Sequence, residues 1–213
     1  MADLRKRLGP DRRVFALQHP LLESVPLVLV HVALLNDIPS TMAQIEHATA
    51  PAEPTTAVFY SISNMQAGVA AMGLGEFLIQ QAKLELQQEF RSMTTYCTLS
   101  PLGPNFTTWY HQQCHDHAQS PSDEQSLLRT VARYLVQEKD SSSRPLDPVA
   151  RFHLGNGASL YRINPHAQSP EKNLGLMVNY RYPDDHESTP PEVVHGVSVS
   201  PQVRDLLPLN ESE

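Results

Sequence analysis

The chain has 213 residues, a formal net charge of −7 and two cysteines, Cys97 and Cys114. That length suits one large domain or two small ones with a sizeable core, and the negative charge argues against a general nucleic-acid binder, whose affinity comes from neutralised phosphates. Two cysteines are too few for a disulfide framework, so a reducing compartment, the cytoplasm, is expected, and no apolar run approaches the ~20 residues that cross a bilayer.

Residues 4–13 form a basic segment carrying Arg5, Lys6, Arg7, Arg12 and Arg13. Asp3 and Asp11 spoil the acid-poor pattern of a transit peptide, so a surface segment of the domain is expected, with a mitochondrial address as the alternative. Residues 14–17 and 27–34 are apolar and β-branched and read as neighbouring strands joined by a proline-bounded loop. His31 inside the second of these reads as an ordinary core histidine. A short helix is expected over 41–47, followed by a loop holding Pro51 and Pro54.

Ala57-Val58-Phe59-Tyr60-Ser61-Ile62-Ser63 reads as a strand that stops at Asn64. Small residues follow at Gly68, Ala70, Ala71, Gly73 and Gly75, a run that lets backbone amides come close to a ligand or lets a helix pack closely on a sheet. Leu74, Leu78, Ala82, Leu86 and Phe90, with Phe77 beside them, then mark one face of a helix. The first amides of such a helix lack internal partners and its dipole is positive there, which suits a phosphate or pyrophosphate. Residues 94–99 read as the next strand, delivering Ser100 to its end, with Pro101 as the stop. Strands alternating with helices indicate an α+β (α/β) sheet covered by helices.

Beyond Ser100 a helix is expected around 107–113. His111, Cys114, His115 and His117 cluster here without a four-ligand spacing, so no metal site is expected. Leu127, Leu128, Val131, Tyr134 and Leu135 mark an amphipathic helix. Phe152-His153-Leu154 precedes a turn at Gly155-Asn156-Gly157, and 158–163 alternates as a strand, which places His153 just before a tight, hairpin-like connection. Residues 176–182 read as another strand. Asp184-Asp185-His186-Glu187 reads as a solvated loop, Ser200-Pro201 as the cap and first turn of a short helix, and the polar tail is not a peroxisomal Ser-Lys-Leu ending.

Ala70-Ala71-Met72-Gly73-Leu74-Gly75 can be set beside the Gln/Arg-x-x-Gly-x-Gly/Ala turn by which GNAT-type acetyltransferases bind the CoA pyrophosphate, with Ala70 in place of the usual Gln or Arg. Residues 58–75, Thr98-Leu99-Ser100-Pro101, Asp147-Pro148-Val149-Ala150-Arg151-Phe152-His153-Leu154-Gly155-Asn156-Gly157-Ala158 and Gly175-Leu176-Met177-Val178-Asn179-Tyr180-Arg181-Tyr182 together, and in this order, resemble the catalytic domain of malonyl-CoA decarboxylase. The resemblance spans about residues 4–182. It implies a GNAT-like acyl-CoA-binding fold with a mixed central sheet flanked by helices, here as one domain over 1–213. It also implies a carboxy-lyase of fatty acid metabolism that turns malonyl-CoA into acetyl-CoA and CO2, without metal or organic cofactor, nucleic acid or membrane. Ser100 and His153 match the family's two catalytic positions, and Ala70, Ala71, Met72, Gly73, Leu74, Gly75 and Glu76 with Ile79 match the segment lining its CoA site. His153 is then expected to donate the proton, and Ser100 either to orient the malonyl group or to relay a proton. The family usually carries a helical oligomerisation domain ahead of this one. This sequence is expected to lack it, which would weaken a homo-oligomer, and the connection from Ser100 to His153 is shorter than usual. A GNAT-type acyltransferase and a non-catalytic CoA-binding module stay open beside this reading, since a Ser-His pair without a Gly-x-Ser-x-Gly elbow does not point to hydrolysis.

Overall fold

A computed structural model describes residues 8–22, 25–66, 73–117, 123–183 and 190–208, the side chains of 114–117 excepted. Its contacts divide the chain into two compact units, Met1–Leu99 and Ser100–Glu213. In the first unit, β1 (Arg12–Gln18) pairs antiparallel with β2 (Pro26–Leu35), the neighbouring strands that the apolar β-branched runs predict. The short helix α1 (Met42–Glu46) follows, begun by a capping box in which Thr41 and Gln44 satisfy each other's backbone amides. Strand β3 (Thr56–Asn64) pairs antiparallel with β2, with a register shift at His31/Val32. Helix α2 (Leu74–Glu89) then crosses over to β4 (Thr95–Thr98), which pairs parallel with β3.

The buried stripe of α2 is Gly75, Leu78, Ile79, Ala82 and Leu86, and the helix lies against β1, β2 and β3 of this unit. Phe77 lies off that stripe and is half exposed. Successive helical residues are about 100° apart, and Leu78 and Ile79 already occupy the core-facing positions. Arg13, from the basic segment, pairs with the Glu89 carboxylate at the far end of α2, while Arg12 is buried against Asp11 and the Ile45 carbonyl.

The second unit opens with β5 (Ser100–Pro101), two residues that pair antiparallel with β7 (Met177–Tyr182) through Ser100↔Val178 and Pro101↔Met177. Pro101 is paired with Met177 but is the last residue of β5, so the strand ends there, a position that proline tolerates because few ladder bonds are lost. Helix α3 (Phe106–His117) is longer than the 107–113 expected, and α4 (Glu124–Val136) starts at an Asp123 cap. Phe106, Trp109 and Tyr134 pack into one aromatic cluster, with Trp109 and Tyr134 centroids 4.7 Å apart.

The block around His153 departs from the sequence reading. It is a helix, α5 (Pro148–Gly155), not the approach to a hairpin. Asp147 caps it, Pro148 supplies the first helical φ, and Ala150 and His153, one turn apart, face inward. The chain leaves through Gly157, at φ +81, into β6 (Ser159–Asn164), which pairs antiparallel with β7. A short hairpin of β8 (Glu192–Val194) and β9 (Val197–Val199), absent from the sequence reading, adds beside β6. Its two-residue loop is His195-Gly196, both at positive φ, the backbone that a tight hairpin needs. Helix α6 (Pro201–Arg204) is capped by Ser200 as expected. No helix among the described residues is long and apolar enough to cross a membrane.

Candidate active site

Two strands and a helix of the second unit aim side chains at one point. Ser100 is fixed on β5 by its pairing with Val178 of β7. Two and four residues along β7, on the same face by the strand's period of two, come Tyr180 and Tyr182. His153 sits in the last turn of α5, facing them. Its ring stacks on Tyr180, with centroids 4.7 Å apart and planes at 27°, and meets the edges of Phe152 and Tyr182.

Ser100 Oγ lies 3.1 Å from His153 Nε2, and the Tyr182 hydroxyl lies 2.9 Å from His153 Nδ1. The imidazole therefore bridges two hydroxyls, with a donor on one nitrogen and an acceptor on the other as a neutral ring requires. Ser100 is 8% exposed and His153 3%. Burial pulls the His153 pKa down to about 3, so the ring is neutral at physiological pH. Burial also pushes the Tyr180 hydroxyl well above its ordinary value, helped by the nearby charge of Asp147. The arrangement can hold or move a proton along Tyr182, His153 and Ser100 without placing a net positive charge in the site.

Sequence reasoning brings Ser100 and His153 together, and they do meet, 53 residues apart along the chain. Tyr182 was missed as a member of the site. Its signal was the alternation of Tyr180 and Tyr182 on a strand whose neighbour carries Ser100, but that pairing is not visible in one sequence.

The expected CoA-lining segment belongs to the first unit. Ala70, Ala71 and Met72 lie outside the described residues, as do Asp184, Asp185, His186 and Glu187. Gly73 is the N-cap of α2 at φ +66, a conformation open to glycine, and no side chain among the described residues caps this end. Leu74, Gly75 and Glu76 form its first turn, Glu76 is exposed, and Ile79 is fully buried. No group of three or more histidine, cysteine or acidic side chains among the described residues could hold a metal ion.

The model of the malonyl-CoA decarboxylase C-terminal domain family matches residues 1–128 and 111–212. The mitochondrial malonyl-CoA decarboxylase of Rattus norvegicus is 34% identical over 233 aligned positions, covering 84% of this chain and 47% of the rat protein. The crystal structure of malonyl-CoA decarboxylase from Agrobacterium vitis superposes with a TM-score of 0.83 at 38% identity, over 95% of this chain and 59% of that one. The chain thus spans about half the length of the curated relatives it matches. The loading GNATL domain of CurA from Lyngbya majuscula, 14% identical, superposes with a TM-score of 0.59 over 87% of this chain and 83% of its own, which places the fold as GNAT-like.

Proposed function

The chain belongs to the malonyl-CoA decarboxylase C-terminal domain family, and from that premise we propose that it converts malonyl-CoA to acetyl-CoA and CO2, with His153 as proton donor. The observation that carries the reading is the buried bridge from Ser100 Oγ through the His153 ring to the Tyr182 hydroxyl. Cleavage of the bond between the malonyl carboxylate and its α carbon sends the electron pair into the thioester as an enolate. The α carbon of that enolate then takes one proton, so a malonyl anion and a proton become an acetyl group and CO2.

The tautomer follows from the role. To donate toward substrate, Nε2 carries the proton, which leaves Nδ1 as acceptor and makes the Tyr182 hydroxyl its donor. A neutral imidazole suits this chemistry, because an imidazolium in a dry site would compete to pair with the malonyl carboxylate. As Nε2 gives its proton to the enolate carbon, a much stronger base, Nδ1 takes that of Tyr182; the ring stays neutral, Tyr182 is left as the phenolate, and one proton from water restores the Tyr182 hydroxyl and the starting tautomer before the next turnover. Ser100, the resting partner of Nε2, turns its hydroxyl on the malonyl carboxylate and orients it for loss. Hydrogen-bond donors aimed at developing negative charge contribute about 3 to 4 kcal/mol each, and a positioned general acid about 10²- to 10⁴-fold.

The CoA diphosphate is assigned to residues 70–76 with Ile79, because the amino end of α2 has no side-chain cap among the described residues and its first amides suit an anion. Incubation with malonyl-CoA, and separately with acetyl-CoA plus amine acceptors, tests the reading. Equal amounts of CO2 and acetyl-CoA, with no acylated amine, are expected. Acylated amine without CO2 would make the protein an acyltransferase, and tight malonyl-CoA binding without either product would make it a binding module.

A further inference from the structure

The peptide bond between Leu102 and Gly103 is gripped from both sides by side chains. Its N–H, on Gly103, donates to Asp147 Oδ2 at 2.7 Å. Its carbonyl, on Leu102, accepts from Asn173 Nδ2 at 2.8 Å. This peptide lies just past Ser100 on the loop leaving β5. Asp147 opens α5, which carries His153, and its other oxygen accepts the amides of Val149 and Ala150 at 2.9 Å each. Asn173 lies in the left-handed turn Asn173–Gly175 that feeds β7, which carries Tyr180 and Tyr182. One peptide plane therefore joins the supports of Ser100, His153 and Tyr182.

The grip is built rather than incidental. Asp147 is fully buried and faces no cation among its hydrogen-bond partners, so three backbone amides, with the Tyr134 hydroxyl beside them, solvate its carboxyl group. Gly103 lies so close that a Cβ there would sit 2.6 Å from Pro148 Cδ and 2.8 Å from Asp147 Oδ2. Asn173 holds a positive φ of 48°, which asparagine tolerates better than most side chains, and its Oδ1 is 3.5 Å from Thr107 Oγ1. We propose that Asp147 and Asn173 are positioning residues: by clamping the Leu102–Gly103 peptide they set the Ser100 Oγ to His153 Nε2 distance, and with it the rate of the chemical step. Neither touches the reacting atoms.

This rests on the decarboxylase reading above, and its tests separate the two. Asp147→Asn keeps an oxygen for the Val149 and Ala150 amides, since asparagine caps helices about as well as aspartate, but turns an N–H toward the Gly103 N–H. Asn173→Gly removes the other grip without straining the left-handed backbone. We expect kcat for malonyl-CoA to fall about 10- to 100-fold in Asp147→Asn and about three- to tenfold in Asn173→Gly, with KM within about twofold, since displacement by about 1 Å can cost 10²-fold. The ¹⁵N shifts of the His153 ring should move in both variants as the Nε2 hydrogen bond to Ser100 lengthens. That spectrum needs no turnover, so it reads the clamp even if the wild type releases no CO2. In the unaltered protein the Gly103 amide should exchange with solvent far more slowly than an open loop amide. Wild-type kcat and an unmoved His153 spectrum in Asp147→Asn, or a Gly103 amide exchanging at the open rate, would overturn the proposal.

Discussion

Helices α2 and α5 meet the same physical problem, unpaired amides at an amino end, in opposite ways. Helix α2 starts at Gly73 in a left-handed conformation and takes no side-chain cap among the described residues, with Glu76 exposed in its first turn. Helix α5 is closed by Asp147, whose buried carboxyl group takes the Val149 and Ala150 amides, and His153, the proposed proton donor, lies at the other end. An open amino end is available to a ligand's anion. A closed one spends the same amides on rigidity, and what it gains is a fixed imidazole. The comparison separates binding, expected at α2, from chemistry, expected at α5, and variants at the two helices should therefore move different kinetic constants.

The largest effect is expected at α5. His153→Asn keeps a polar, hydrogen-bonding side chain but no transferable ring proton, so kcat for CO2 release should fall about 10²- to 10⁴-fold with KM nearly unchanged; steady-state kinetics on malonyl-CoA checks this. Tyr182→Phe leaves the ring packing and removes the donor to Nδ1. A loss of about tenfold in kcat is expected, on the scale of one hydrogen bond to a reacting group, and an unchanged kcat would remove Tyr182 from the proton path. At α2 the sign reverses. Glu76→Gln takes a negative charge from the first turn, and the KM for malonyl-CoA should drop about two- to fivefold with kcat constant, in keeping with 0.3–1 kcal/mol for a charge near a helix end. A rise in KM would place the diphosphate elsewhere.

The last effect is on stability and is read in a pH slope rather than in a rate. The folded His153 takes up a proton only near pH 3, whereas in the unfolded chain it does so near 6.5. Between those values the unfolded state binds more protons, so stability falls as pH drops from about 6.5 toward 3, by at most about 1.4 kcal/mol per pH unit from this group. Urea titrations of wild type and His153→Asn over that range should differ in slope, the variant being flatter. Equal slopes would mean that the ring is charged, or reached by water, in the folded protein.

The contrast between the helices also explains what could be read before any coordinates. Helix α2 was legible because Leu74, Leu78, Ala82 and Leu86 recur at helical spacing over most of its 16 residues. Helix α5 has eight residues and too few turns to display a period. Its start was nonetheless written in Asp147-Pro148, an N-cap followed by a proline at the first helical position, a signal outweighed by the glycines at 155 and 157 that read as a hairpin turn. Strands β8 and β9 are three residues each around His195-Gly196, a less familiar pair than Asn-Gly for two positive φ values. Ser100 and His153 entered through family likeness, which carries residue identity but not contact. Tyr182, Asp147 and Asn173 depend on which strand lies beside which, and pairings between segments distant in sequence leave no periodic trace.

The most direct test of the claim that Ser100 and His153 together perform the reaction is a single-turnover measurement of CO2 from labelled malonyl-CoA, at concentrations that saturate both wild type and a Ser100→Ala, His153→Asn double variant. Wild type should release one CO2 per bound substrate and leave acetyl-CoA, while the double variant binds malonyl-CoA equally well and releases none above the buffer rate. Release by the double variant at the wild-type rate would place the chemistry at other residues.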